Sequence, residues 1–137
     1  MKKIFLVFFA TMAVVFIQLI MGGLFVFAYA TYREHLYTGI LVGIMSVVSL
    51  ITALFLVKPR TNSLAYPTVF MLALVLLQGA LGFSISHVPP LVIAHYTNAL
   101  VIFALSIVTT IAAIRASRSQ QPSSSSQPVK DTPPITH

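Results

Sequence analysis

Long apolar stretches, separated by short polar interruptions, dominate the pattern of this chain. Four runs stand out: Ile4 to Ala28, about Tyr32 to Val57, Tyr66 to Ile85 and Leu91 to Ile114. Each holds about 20 residues or more, enough for a helix to cross a hydrocarbon core of ~30 Å. Apolar and polar residues do not alternate, and the runs are too long for barrel strands. The pattern predicts an all-α fold, an integral membrane four-helix bundle.

The interruptions place the connections. Helices 1 and 2 should turn near Tyr29 to Thr31, almost without a loop. Helices 2 and 3 should join through Lys58 to Ser63, and helices 3 and 4 through Ser86 to Pro90. Pro90 suits the first turn of a helix, where its missing N–H costs little. From Ala116 the chain turns to Ser, Gln and Pro, with Ser123 to Ser126 in a row. Such a segment has little to bury and is expected to be a disordered cytoplasmic tail. The expected division is a transmembrane domain over 1–115 and a tail over 116–137.

The pattern also recurs within the chain. Residues 13–53 laid over 73–113 match at Ala13, Val15, Gln18, Gly22, His35, Ser46, Val48, Ile51 and Ala53. The aliphatic matches are cheap in apolar helices, but the polar ones are not. Gln18 and Gln78 are the only glutamines before the tail, and they coincide. The bundle therefore reads as two tandem helix-pair repeats, related by a pseudo-twofold axis along the membrane normal. His35 and His95 would then lie at one depth, facing each other.

Composition and charge sharpen this picture. Of 137 residues, 58% are hydrophobic and 7% charged, against about 25% charged in a soluble domain. The net charge of +6 might suggest nucleic acid, but its placement argues for topology. Lys2, Lys3, Lys58, Arg60, Arg115, Arg118 and Lys130 fall on one side of four spans, and only Arg33 on the other. By the positive-inside rule both termini are cytoplasmic, in what reads as the plasma membrane of a prokaryote; nucleic acid is not an expected partner. The first run is too long for a secretory signal and carries half of the repeat, so it is expected to stay as a helix. With no cysteine, thiol–disulfide chemistry, iron–sulfur clusters and covalent haem attachment are excluded. Helix 1 has no embedded carboxylate of the kind a small multidrug antiporter would use.

The candidate chemistry gathers around the two histidines. Gly39, Gly43 and Ser46 follow His35 on one helical face, and Ala99, Phe103 and Ser106 follow His95 on another. Small residues beneath paired intramembrane histidines leave room for a flat macrocycle, and two facing imidazoles can hold a haem iron from both sides. The same features have plainer readings. Gly39 and Gly43 could form a close-packing face, and the histidines could hydrogen-bond between helices or relay protons. A zinc or copper site would want more ligands than converge here. Gln18 and Gln78, deeper in the membrane, suit interhelical hydrogen bonds or contact with a cofactor edge. His87 has no histidine partner in the repeat; it is a solvated loop residue, or it contacts a haem propionate or a quinol pocket. Glu34 suits the positive end of helix 2, and Arg33 could pair with Glu34 or with a propionate.

Gln18-xxx-Gly22, His35, Gln78-xxx-Gly82 and His95, in this helix order, resemble one half of a haem A synthase. That family has two related four-helix halves, each with a histidine pair on its second and fourth helices. The resemblance spans residues ~4–114 and implies one haem b per chain, with His35 and His95 as axial ligands near the outer face. It also implies a role in haem modification or electron transfer. The family's catalytic glutamate, three residues before its first histidine, falls here at Tyr32; Glu34, adjacent to His35, is the candidate catalytic group. A homodimer or a companion subunit would rebuild the eight-helix arrangement. If the chain is an enzyme, a haem-modifying or quinol-linked oxidoreductase is expected. Two other readings stay open: a quinol-linked cytochrome b or small respiratory-complex subunit, and a haem-free assembly or accessory protein.

Overall fold

The computed structural model describes residues 4–55, 62–85, 88 and 90–119, and 92% of them are helical. The elements are α1 (Ile4–Val26), α2 (Tyr32–Phe55), α3 (Asn62–Ser84) and α4 (Leu91–Ser119). All four are long and apolar enough to cross a membrane, which suits a lipid bilayer as the surroundings. The expected all-helical architecture is what the chain adopts, with four helices each long and apolar enough to span a membrane.

Two helix ends differ from the reading of the apolar runs. Helix α3 begins at Asn62 rather than Tyr66 and takes Pro67 into its second turn. As the sixth residue, Pro67 lies just past the four N–H groups that lack an intrahelical acceptor, so the helix forgoes one bond there, the one to the carbonyl of residue 63. Helix α4 continues to Ser119, past the boundary at residue 115. Arg115, Ala116 and Arg118 are adequate helix formers, and Ser117 binds the Ala113 carbonyl at 2.8 Å. A helix need not stop where its apolar stretch does. Residues 120–137, and with them most of the expected tail, lie outside the described residues.

The turn between α1 and α2 is built from local hydrogen bonds. The Tyr29 N–H donates to the Leu24 carbonyl at 2.8 Å and the Ala28 N–H to that of Phe25 at 3.0 Å. These are the paired bonds of a Schellman C-cap, with Ala28 at φ 60° in the left-handed position that glycine usually takes. Three residues on, Thr31 opens α2 with a capping box. Its N–H donates to Glu34 Oε2 at 2.6 Å, and the Glu34 N–H donates to Thr31 Oγ1 at 3.4 Å.

The helices close into a ring: α1 packs on α2 and α4, and α3 packs on the same two, while the diagonal pairs stay apart. Two apolar layers each draw one residue from every helix. Phe8, Ala53, Leu64 and Ala113 form one, and Val15, Val42, Met71 and Ile102 the other. Polarity is inverted relative to a soluble bundle. Phe9, Ile17, Ile44 and Phe70 face outward, while Thr11, Ser46, Ser49, Thr68, Ser106 and Thr109 are buried. Between membrane helices there is no hydrophobic drive, so small and hydroxyl-bearing residues at the interfaces let the backbones approach. Most of these hydroxyls bond a carbonyl one turn back in their own helix; Thr11 also bridges to Ser49 Oγ at 2.7 Å.

Many buried positions come in pairs sixty residues apart: Phe8 with Thr68, Thr11 with Met71, Val42 with Ile102, Ser46 with Ser106, Ser49 with Thr109, and Ala53 with Ala113. Only Ser46/Ser106 and Ala53/Ala113 are identical pairs. The spacing of burial thus extends well beyond the spacing of identities.

Candidate functional site, a histidine pair across the bundle

Beyond the Val15 layer, toward the α1–α2 turn, the interior becomes polar. His35, one turn into α2, and His95, in the second turn of α4, belong to diagonal helices whose backbones do not touch. Their side chains span the gap. The ring centroids lie 6.2 Å apart with planes crossed at 67°. The expected meeting of the two imidazoles is what the geometry delivers.

Each ring rests against a glycine of the preceding helix. A Cβ on Gly22 would stand 3.2 Å from His35 Cε1, and one on Gly82 would stand 3.3 Å from His95 Cε1. A methyl in place of either glycine would press on the imidazole, which would have to give by a few tenths of an ångström. The two Nδ1 atoms share a further property: both are buried and, among the described residues, neither makes a well-formed hydrogen bond, although the Gln78 backbone bears on the His95 ring as an acceptor. An unsatisfied buried polar atom costs about 1–3 kcal/mol, so two at matching positions call for an explanation.

Gln18 reaches the His35 ring from below, while Gln78 bonds the neighbouring helix. Gln18 Nε2 lies 3.5 Å from His35 Nε2, and Gln18 Oε1 accepts a hydrogen bond from Thr38 Oγ1. In the other helix pair, Gln78 Oε1 accepts from Asn98 Nδ2 at 2.8 Å, and that amide also reaches the Leu74 carbonyl at 2.9 Å. The interhelical role expected of the glutamines is therefore filled. Thr38 and Asn98, their partners, were not singled out from the sequence. They are sixty residues apart but differ in type, so a search for identities passes over them. Phe25 and Tyr96, which flank the two rings, were missed for a related reason: their counterparts, Ile85 and Leu36, are not aromatic.

The remaining candidates are placed as follows. Gly39 does not open onto free space: the Gln18 amide nitrogen lies 3.1 Å from where its Cβ would be. Beside Gly43 nothing comes within 4 Å of such a Cβ. Ala99 is half-buried on α4. Glu34 is exposed and its carboxylate binds the backbone of Thr31, which accounts for it as a helix cap. Arg33 is exposed beside it. His87 lies outside the described residues.

Among the described residues no three His, Cys, Asp or Glu side chains gather as a metal-binding group. The histidines thus stand as a pair, with no third side chain of these types beside them among the described residues. Comparison with models of protein families, with curated proteins and with solved structures finds no match to this chain. Fold and site together define a four-helix membrane bundle with two imidazoles meeting across its interior.

Proposed function

We propose that this chain is a membrane haem protein in which His35 and His95 ligate one b-type haem, and that it serves electron transfer. The observation that carries the reading is the separation of the rings. With a metal–imidazole bond of about 2.0–2.1 Å and the ring centre about 1.1 Å behind the nitrogen, two imidazoles on one metal have centroids about 6.3 Å apart. The rings here are 6.2 Å apart. The buried Nδ1 atoms, which make no well-formed hydrogen bond among the described residues, add support.

A haem held by two imidazoles supplies one-electron redox chemistry without an open position for oxygen. The protein's part is to hold the rings: Gly22 and Gly82 admit them, and Gln18 contacts the His35 edge. The recurrence of the Gly–His contact and of the Gln–Thr and Gln–Asn contacts at one spacing supports an origin by tandem duplication of a helix pair. The distribution of Lys and Arg supports cytoplasmic termini, which would put the histidines near the outer face. The resemblance to haem A synthases favours a related role in haem modification, but Glu34, engaged as a cap, lends that role no catalytic group.

The test is spectroscopic. The chain purified in detergent should show a sharp reduced α-band, lost in both His35→Ala and His95→Ala. Pyridine haemochrome analysis should identify haem b. No haem after expression with ample haem supply would overturn the reading. It would favour a haem-free assembly protein, for which the Gln18 amide beside His35 and Gly39 is the specific observation.

A further inference from the structure

The two histidine rings have different neighbours. Phe25 of α1 lies parallel to His35 and offset from it, with centroids 6.0 Å apart and planes 7° from parallel. Tyr32 in turn meets Phe25 at 6.5 Å and 61°. The position matching Phe25 in the second helix pair is Ile85, which has no ring. Beside His95 lies Tyr96 of its own helix, edge-on at 6.2 Å and 80°. The Tyr96 hydroxyl is held on the Gly22 carbonyl at 3.4 Å. The histidine planes consequently cross at 67°.

We infer that Phe25, braced by Tyr32, is a positioning residue that sets the plane of the His35 imidazole and keeps the two axial ligands crossed rather than parallel. The inference rests on the haem reading above. Rotation of an imidazole about its second side-chain torsion is broad, so histidine does not fix its own plane and a neighbour must. Ligand orientation is set in this way by groups outside the coordination sphere.

The crossing has an electronic consequence. An imidazole donates π density only along the normal to its ring. Two parallel rings raise the same iron d orbital, split it from its partner and give a rhombic ferric low-spin centre. Two crossed rings raise one orbital each, leave the pair nearly degenerate and give a strongly anisotropic centre. Phe25 is 42% exposed, so a smaller residue there alters the slab without opening a core cavity.

The experiment uses the full chain in detergent, loaded with ferric haem b, and has two readouts: haem per protein by pyridine haemochrome, and low-temperature electron paramagnetic resonance. The wild type should give a single strongly anisotropic low-field line. Phe25→Ile, which installs the residue of the second helix pair, should keep its haem while the line moves to higher field, toward a three-line rhombic spectrum. Phe25→Tyr should match the wild type. A rhombic spectrum from fully loaded wild type, or a Phe25→Ile spectrum unchanged from it, overturns the inference and leaves the haem reading intact. Wild type that takes up no haem overturns both. If Phe25→Ile holds no haem, Phe25→Leu is measured in its place; loss of haem in both assigns Phe25 to folding and overturns the positioning role.

Discussion

Gly22 and His35 meet so closely that a Cβ on Gly22 would stand 3.2 Å from Cε1 of the imidazole, and the ring would have to give by a few tenths of an ångström. Phe25, parallel to that ring at 6.0 Å between centroids, limits the room for it to do so. Gly22→Ala should therefore push the ring out of line with His95. Overpacking of this kind costs about 1–3 kcal/mol, more than the gain of about 1 kcal/mol from replacing a helical glycine. Gly82 is exposed and its Cβ position lies slightly farther from its imidazole, at 3.3 Å, so Gly82→Ala should be milder. Haem-to-protein ratios and denaturation midpoints of the two variants test this order; equal effects would sink it.

Asn98 ties α4 to α3 through two bonds, to Gln78 Oε1 and to the Leu74 carbonyl, and is buried. Asn98→Ala should lower stability by about 0.6 kcal/mol and by no more than about 1.7 kcal/mol, the average and the maximum for polar contacts between membrane helices. Thr38→Ala should cost less, because Thr38 has fallback acceptors in its own helix at the Glu34 and His35 carbonyls. Unfolding from mixed micelles would rank the two.

Ala28 holds a left-handed conformation at φ 60° that costs a non-glycine residue about 1–2 kcal/mol. Ala28→Gly should raise stability by up to about 1 kcal/mol with no change in the haem spectrum. A loss of stability would mean that the Ala28 methyl makes a contact outweighing its backbone strain.

Glu34 separates a structural role from a catalytic one. Glu34→Gln can still reach the Thr31 N–H and should stay close to wild type, as expected of a capping box. Glu34→Ala should lose about 0.5–2 kcal/mol, the usual scale for a lost cap. Neither should alter the visible spectrum. A variant that keeps its stability but changes its redox behaviour would return Glu34 to the site.

The four spans were legible because bilayer thickness imposes a length that composition cannot disguise. The histidine pair was legible because His35 and His95 are identical residues at one spacing, in a background where polar identities are rare. The supporting contacts were not. Thr38 and Asn98 do the same work with different functional groups, and the burial of Phe8 corresponds to that of Thr68: a shared position carries no shared residue type. The neighbour of Gly39 was not legible either. A sequence shows that a glycine leaves space but not which neighbour fills it, and here Gln18 does.

The inward-facing hydroxyls bear on how the bundle comes into being. Ser46, Thr52, Thr68 and Thr110 each find an acceptor one turn back in their own helix. A helix leaving the translocon would carry these groups into lipid already satisfied, with no partner helix needed. The imidazole Nδ1 atoms have no such internal acceptor. Insertion can therefore proceed span by span, and the demand for something to complete the structure is concentrated at one end of the bundle, where it arises only after the second and fourth spans have come together.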